Sequence, residues 1–147
     1  MGLVAYIVRR FSPLLNLRCR LTGSDGRRHD PASIGVLGEC IACAWLRAQG
    51  AKVLYQNYRA PQGGEVDIVA RERRLLLFTE VKTRTSVAHG RPYEAVDNKK
   101  RKLIRRGAND WLKQLGTREV PWRCDVIEVV LTEGEKPHVH RVENAFS

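Results

Sequence analysis

The spacing of apolar and polar residues predicts two long helices and five strands in this chain. Apolar residues recur at helical intervals from Ile34 to Gln49, and Gly50 follows as a C-terminal stop signal. A second helical stripe extends from Pro92 to about Leu115, with Asp97 available as its N-cap. Five shorter segments have the composition and boundaries of strands: VLYQNYR (53–59), EVDIVA (65–70), LLLFTEVK (75–82), CDVIEVVL (124–131) and HVHRV (138–142). The predicted order is αβββαββ.

The segment ahead of the first helix contains many turn-forming residues. From Arg20 to Ser33 it is rich in Gly, Asp, Ser, Arg and Pro, a composition typical of linkers. We therefore interpret residues 1–32 as an N-terminal extension and linker, partly disordered, and residues 33–147 as the folded domain. Ser33 is the predicted N-cap of the first helix. A chain of 147 residues has the size of one domain.

The charge of the chain favours a polyanionic partner. It contains 26 Lys and Arg against 16 Asp and Glu, which gives a formal net charge of +10. Nucleic acid is the first candidate, although ribosomal proteins and membrane-surface binders share such a balance. Charge therefore indicates the kind of partner without deciding it.

The N-terminal residues and the cysteines favour a reducing, cytoplasmic environment. The apolar run GLVAYIV is seven residues long and precedes Arg9 and Arg10, the reverse of the order in a signal peptide. No apolar run approaches the roughly 18 residues of a transmembrane helix, so we expect no membrane association. Cys40 and Cys43 form a CxxC inside an apolar helical run, but no further ligands complete a zinc site. We interpret the cysteines as buried thiols.

Candidate chemistry lies in the third predicted strand. Residues two apart share a strand face, so Glu80 and Lys82 point the same way as Leu76 and Phe78. A carboxylate and an ammonium thus stand at the end of an apolar row. Because isolated charges are costly to bury there, each needs a partner.

The short connection between the second and third strands suggests that partner. If Arg73 and Arg74 form a two-residue hairpin turn, Asp67 stands opposite Glu80, with Cβ atoms about 5 Å apart. Two facing carboxylates repel and raise one pKa, whereas a divalent cation holds both ionised. The arrangement therefore predicts a metal site, and a solvent-facing salt bridge is the alternative.

Glu39 is a third candidate acid. It is the only charged residue between Ile34 and Leu46, in a helix that is apolar on nearly every side. Gly38 beside it would let the helix approach the sheet closely and bring Glu39 within reach of the metal, directly or through water. A hydrogen-bonded helix carboxylate is the alternative.

The second helix separates one basic residue from the others. Lys100 shares the apolar stripe with Ile104 and Trp111, so we expect it to lean toward the sheet and contact the scissile phosphate. The remaining basic residues suit backbone phosphates, with a merely solvated face as the alternative. The predicted nucleic-acid-binding residues are Lys99, Arg101, Lys102, Arg105, Arg106 and, after the third strand, Arg84. His138 and His140 are interpreted as surface residues.

Several motifs together resemble the YraN-type family. They are GxxGE around Glu39, then NYR at 57–59, GGEVDIVA, FTEVKTR, GRPYEAV at 90–96, and Lys100. The resemblance covers about Ser33 to Leu131 and implies the restriction-endonuclease-like PD-(D/E)xK fold. That fold is an α/β domain with an αβββαβ core, whose mixed central sheet is flanked by helices.

The resemblance also implies roles for the candidate residues. Asp67 matches the first acid of the motif, Glu80 the second and Lys82 the lysine, while Glu39 matches the helix carboxylate of the resolvase-like branch. Val66 stands where the motif name has proline. The implied activity is phosphodiester hydrolysis with Mg²⁺ or Mn²⁺ bound by Asp67, Glu80, Glu39 and the Val81 carbonyl. Lys82 would then orient or deprotonate water.

Two other functions are compatible with the same motifs and net charge. The chain could be a catalytically silent nucleic-acid-binding protein with the same fold, or a basic ribosome-associated protein. Metal binding separates the first from a nuclease, since a pure binder has no need of Mn²⁺ between two acids. Junction resolvases cut as dimers, so a branched DNA substrate would imply a homodimer.

Overall fold

The computed structural model describes residues 13–85, 96–117 and 119–147. Within these residues it contains three helices and five strands, in the order αβββαββ after a first helix of four residues. The helices are α1 (Pro13–Asn16), α2 (Pro31–Ala48) and α3 (Asn98–Gln114), and the strands are β1 (Lys52–Arg59), β2 (Glu65–Glu72), β3 (Leu75–Arg84), β4 (Trp122–Val130) and β5 (His138–Phe146). The predicted order is confirmed.

The five strands form one mixed sheet in the order β1-β2-β3-β4-β5. Neighbouring strands are antiparallel except β3 and β4, which are parallel. A parallel pair requires a crossover connection, and α3 lies within the one that joins β3 to β4. This is the predicted α/β architecture, a mixed sheet flanked by helices.

Each face of the sheet packs against one long helix. Ile41 and Leu46 of α2 belong to the same buried cluster as Leu77 of β3. On the other face, Ile104 and Leu112 of α3 belong to a second cluster. That cluster also contains Leu76 and Phe78, so β3 alternates between the two cores as its period of two predicts.

The first long helix starts earlier than predicted. Asp30 is its N-cap and accepts hydrogen bonds from the Ser33 backbone N at 3.0 Å and the Ser33 hydroxyl at 2.6 Å. The prediction of Ser33 as the cap is therefore wrong. Asp30 is favoured because Pro31 follows it, and proline at the first helical position lacks only a donor that would have no partner there. The predicted stop at Gly50, whose φ is 92°, is confirmed.

Part of the predicted linker packs against the domain. Cys19 and Leu21 are buried in the core on the α2 side. The Cys19 backbone N donates to the Glu135 carbonyl at 2.7 Å and its carbonyl accepts from Gly134 N at 2.9 Å. Leu21 N donates to a carboxylate oxygen of Glu133 at 2.7 Å. The linker interpretation did not anticipate these contacts, and residues 1–12 of the predicted extension lie outside the described residues.

The second long helix starts later than predicted. Asp97 is its N-cap, as expected, and accepts from Lys100 N at 2.8 Å. Because residues 96 and 97 are not helical, α3 begins at Asn98, and the predicted start at Pro92 lies outside the described residues. The last strand extends four residues past its predicted end, to Phe146, which pairs with Cys124.

The four cysteines differ in their burial. Cys19, Cys43 and Cys124 are buried free thiols, whereas Cys40 is exposed, so the prediction that all four are buried is wrong for Cys40. Burial raises the pKa of the Cys43 thiol to about 11.

Among the described helices, none combines the length and the apolar character needed to cross a membrane.

Candidate functional site

The hairpin between β2 and β3 sets the geometry of the candidate site. Glu72 pairs with Leu75, so Arg73 and Arg74 form a two-residue turn, with Arg73 at a positive φ of 52°. The paired ladder extends to Ile68 opposite Thr79. The predicted register is confirmed, and continuing it by one residue places position 67 opposite position 80.

Asp67 lies where the two strands stop pairing through their backbones. Its Oδ2 accepts a hydrogen bond from the Val81 backbone N at 2.8 Å. The carboxylate thus occupies the place that a carbonyl of β2 would take in a continued ladder. On the other side of Asp67, Asn57 of β1 has a positive φ of 53°. Asp67 is therefore fixed at an opening in the sheet.

Glu80 is the most deeply buried acid of the site, with 2% of its surface exposed. Its Oε1 lies 3.0 Å from Lys82 Nζ, and its Oε2 lies 3.3 Å from Lys100 Nζ. Oε2 nevertheless makes no hydrogen bond of good geometry. Burial, and then the charge of Asp67, raise the pKa of Glu80, and the two lysines only partly oppose this. One raised pKa is the behaviour expected of two adjacent carboxylates.

Glu39 approaches the same opening from α2. Burial and the charge of Asp67 raise the pKa of Glu39, while a hydrogen bond from the Asn57 side chain and the charge of Lys100 lower it. The hydrogen bond is the feature expected from the alternative interpretation of Glu39, and the influence of Asp67 is the one expected from a site residue. The structure thus contains one feature of each interpretation, and metal binding by Glu39 stays a prediction.

The close approach of α2 depends on Gly38. A Cβ atom at this position would lie 1.8 Å from Thr83 Oγ1, so the helix backbone contacts β3 directly. Only glycine allows this contact, as the sequence predicted. Because Glu39 follows Gly38, the same contact holds Glu39 near the opening in the sheet.

Lys100 leans toward the sheet as predicted. It bridges two acids, with an ion pair to Glu65 and the contact to Glu80 described above. The position of its helix depends on a second glycine contact, since a Cβ on Gly64 would lie 2.3 Å from Gly107 N. Gly107 is two helical turns after Lys100, on the same face of α3.

Glu65 is a site residue that the sequence analysis missed. It is the first residue of β2, and its ion pair with Lys100 lowers its pKa. The available signal was the Gly63–Gly64 pair ahead of it, which indicates a close backbone approach. Its partner, however, lies 35 residues further along the chain.

The predicted nucleic-acid-binding residues differ in their surroundings. Four basic residues of α3 are exposed as expected: Lys99, Lys102, Arg105 and Arg106. Arg101 is instead half-buried, because its Nε donates to the Val96 carbonyl at 2.9 Å and its guanidinium lies 5.5 Å from the centre of the Phe146 ring. Arg84 forms an ion pair with Glu128 at 2.9 Å. Arg101 therefore faces solvent less than predicted, and nucleic-acid binding by Arg101 and Arg84 stays a prediction.

Two clefts border the site. One of about 500 Å³ is lined by Gly64, Arg106 and Lys113 on the α3 side of the sheet. The other, of about 450 Å³, is lined by Glu39 and Val81 on the α2 side. Residues with oxygen or nitrogen groups suited to a charged ligand thus flank the opening from both helices.

The residues at the opening fit a hard divalent cation by their chemistry. Asp67, Glu80 and Glu39 supply carboxylate oxygens, the donors that Mg²⁺ and Mn²⁺ prefer, and Glu80 Oε2 is buried without a hydrogen bond. In the described ranges, no three His, Cys, Asp or Glu side chains are grouped closely enough to form a metal-binding set as they stand. In place of a metal ion, Lys82 and Lys100 form ion pairs with Glu80.

A second buried charge cluster lies away from this opening. Asp125 is fully buried and forms ion pairs with Arg123 at 2.8 Å and Arg141 at 2.9 Å. Arg141 also pairs with Glu72 at 2.6 Å. Since its carboxylates are matched by arginines, the cluster ties β2, β4 and β5 together. His138 and His140 are exposed, as predicted.

The fold is that of the restriction-endonuclease-like α/β domains, with a mixed sheet between two helices. The chain belongs to the uncharacterised protein family UPF0102, whose family model matches residues 38–129. This is the YraN-type family, so the resemblance identified from the sequence motifs is confirmed.

Individual relatives match most of the chain. A UPF0102 protein of Trichlorobacter lovleyi is 43% identical over 115 residues, which cover 78% of this chain and 90% of the relative. One from Syntrophotalea carbinolica is 44% identical over 78% of this chain and 91% of the relative. One from Geobacter sulfurreducens is 38% identical over 83% and 94%, respectively. The similarity therefore extends over nearly the whole of each relative.

Proposed function

We propose that this chain is a metal-dependent endonuclease that hydrolyses phosphodiester bonds in DNA. The observation that carries the proposal is the opening in the sheet, where Asp67 and the buried Glu80 stand together beside Lys82. Holding two carboxylates and a lysine at the splayed end of a hairpin is costly for a purely structural role. A phosphodiesterase has a use for each of them.

The acids would hold Mg²⁺ or Mn²⁺. Asp67, Glu80 and Glu39 would supply carboxylate oxygens, and the Val81 carbonyl a neutral one. When bound, the cation would lower the pKa of water and offset negative charge on the phosphate. Because Val81 N anchors Asp67, one ligand is oriented before any cation arrives.

The lysines provide the remaining chemistry. Lys82 Nζ, 3.0 Å from Glu80, would orient the attacking water or accept its proton. Lys100 stands on the other side of Glu80 and would place a second positive charge near the phosphate. Both side chains are partly exposed, with 29% of the Lys82 side chain and 22% of the Lys100 side chain open to solvent. A phosphate can therefore reach them.

The exposed basic residues of α3 would bind backbone phosphates on one side of the opening. Within the described residues, Lys99, Lys102, Arg105 and Arg106 form no ion pair, unlike Arg84. The cleft beside Gly64 and Arg106 continues this surface toward Glu65. Such contacts supply affinity and little sequence preference.

A substrate panel tests the proposal. Wild-type protein and Lys82→Ala are incubated with branched, single-stranded and duplex DNA, each with and without Mn²⁺. We expect Mn²⁺-dependent cleavage of at least one substrate by the wild type and a loss of at least 100-fold in Lys82→Ala. Retained DNA binding by the variant is the control. Absence of cleavage of every substrate with either Mg²⁺ or Mn²⁺ would contradict the proposal.

One observation favours a catalytically silent DNA-binding protein instead. Both carboxylate oxygens of Glu80 already face lysines, so this acid has cationic partners without a metal ion. Isothermal titration with Mn²⁺ distinguishes the two functions. The nuclease requires Mn²⁺ binding that Asp67→Asn removes, whereas the silent binder shows none.

If branched DNA is the substrate, paired cuts require two sites, and sedimentation velocity should then show a homodimer.

A further inference from the structure

The segment ahead of α2 forms one wall of the cleft on the α2 side. This cleft has a volume of about 450 Å³, and its lining includes Arg28, His29, Gly35 and Thr83. It also includes Glu39 and Val81, so the cleft extends to the opening in the sheet. A ligand that lies in it would contact both the opening and the segment before α2.

The segment before α2 is a small hairpin with a fixed base. Thr22 pairs with Arg28 in an antiparallel bridge, and His29 N donates to the Leu21 carbonyl at 2.8 Å. Leu21 itself is 4% exposed and belongs to the core. The side chains of Arg28 and His29 are therefore presented from an anchored backbone, which lowers the ordering cost of binding a ligand.

Arg28 differs from the other cations near the site in its lack of an acidic partner among the described residues. Lys82 and Lys100 both form ion pairs with acids. Arg28 is exposed, and in the described part of the chain its side chain forms neither an ion pair nor a hydrogen bond. An unpaired guanidinium in this cleft suits a phosphate group, which it can bind through two parallel hydrogen bonds.

We propose that the cleft of Arg28 and His29 holds a DNA strand on the α2 side of the opening in the sheet. This inference rests on the proposed function and deepens it. Arg28 contacts a phosphate that flanks the scissile one, opposite the basic residues of α3, and His29 lies against the same backbone. The strand thus crosses the opening between the two helices and is held on both sides. Both residues precede the region matched by the family model, which begins at residue 38.

Affinity measurements on a matched pair of variants test the strand position. Arg28→Ala and Arg27→Ala each remove one exposed arginine from the same hairpin, but Arg27 does not line the cleft. Fluorescence anisotropy with labelled duplex DNA in EDTA, at several salt concentrations, gives affinity and its salt dependence. We expect Arg28→Ala to weaken binding about 5- to 10-fold and to lower the salt slope by about one. Equal effects of the two variants would overturn the inference.

Neutral phosphate substitutions locate the contact. Single methylphosphonates are placed in turn along one strand, and each DNA is measured with wild type and Arg28→Ala. At one position, wild type should lose affinity while Arg28→Ala loses none, because the variant has already lost that contact. Additive losses at every position would overturn the inference.

The outcomes also separate this inference from the nuclease proposal. If wild type cleaves no DNA but the position-specific loss is present, the strand position stands and the nuclease proposal fails. If cleavage is metal-dependent but Arg28→Ala binds and cuts like Arg27→Ala, the nuclease proposal stands and the strand position is wrong.

Discussion

At the scale of single residues, Asp67 joins structure and chemistry in one side chain. Its carboxylate satisfies the Val81 backbone N at 2.8 Å, and the same charge raises the pKa of Glu80. The first effect needs only an oxygen acceptor, whereas the second needs a negative charge. Substitutions that differ in these two properties can therefore separate stability from metal binding.

We expect Asp67→Ala and Asp67→Asn to differ in stability and to agree in function. Alanine leaves the Val81 N–H without a partner, which lowers the free energy of unfolding by about 1–3 kcal/mol. The asparagine oxygen can accept that hydrogen bond, so Asp67→Asn should unfold close to wild type in urea. Under the proposed function both variants lose Mn²⁺ binding and cleavage. Equal destabilisation by the two substitutions would show that the charge, not the hydrogen bond, stabilises the fold.

The pair of Glu72 and Arg141 predicts a pH dependence of stability. Its hydrogen bonds to Arg141 lower the pKa of Glu72 below the ordinary value of 4.5. A carboxyl group with a lowered folded-state pKa stabilises the fold above its unfolded pKa and loses this effect as pH falls through the folded pKa. We therefore expect Glu72→Gln to be less stable than wild type near pH 7, in about 0.1 M salt, with a difference that decreases as pH falls below 4.5 and is lost once Glu72 is protonated in the folded protein.

Urea unfolding of both proteins at each pH measures this difference. Glu119→Gln is the matched control, since Glu119 is exposed and its side chain forms no ion pair within the described residues. It should follow wild type at both pH values. A Glu72→Gln difference that persists unchanged in acid would show that the effect comes from packing rather than charge.

At the scale of secondary-structure elements, glycine contacts position both helices of the site. Gly38 lets α2 contact β3, and the Gly64–Gly107 contact lets α3 meet the start of β2. These contacts bring Glu39 and Lys100 to the same opening from opposite faces of the sheet. The site therefore depends on backbone distances that side chains cannot restore.

Gly64→Ala should move α3 away from the sheet. The new Cβ would lie 2.3 Å from the backbone N of Gly107, so the helix has to shift, at a cost of about 1–3 kcal/mol in the free energy of unfolding. Gly35→Ala is the control, because its Cβ meets open space within α2 and alanine favours the helix by up to about 1 kcal/mol. Urea unfolding should move the two variants in opposite directions. Similar midpoints would mean that α3 adapts without strain.

The elements that the sequence predicts well are those with a local signal. Period-two alternation and a short turn were enough to place β2, β3 and their register, including position 67 opposite position 80. Helix ends were less certain, because Asp30 and Ser33 are both good capping residues and only the position of Pro31 decides between them.

The parts of the fold that the sequence did not predict depend on distant partners. The sequence around Cys19 and Leu21 is typical of a linker, but both residues form hydrogen bonds with the β4–β5 turn. Arg101 and Arg84 look like free cations because Phe146 and Glu128, their partners, come from other strands. Glu65 was missed for the same reason, since Lys100 arrives from α3. A single sequence does not reveal such pairings.

At the scale of the whole molecule, the basic residues behind the net charge of +10 differ in their availability to bind phosphates. Arg84, Arg123 and Arg141 are held in ion pairs within the sheet and cannot neutralise phosphates without leaving their acids. Exposed basic residues that form no ion pair within the described part of the chain include four on α3, near the opening, and Arg28 on the hairpin before α2. DNA affinity should therefore depend on where a charge is removed and not only on how many are removed.

Salt dependence of DNA binding measures this distribution. Each phosphate contact releases a counterion, so losing one contact lowers the slope of log affinity against log salt by about one. We expect this decrease in Lys102→Ala, Arg105→Ala and Arg106→Ala, measured singly by fluorescence anisotropy on one duplex. Arg74→Ala removes the same charge at the β2–β3 turn, six strand positions from Glu80, and should leave the slope unchanged. Equal slopes in all four variants would show a diffuse electrostatic attraction and would exclude α3 as the binding face.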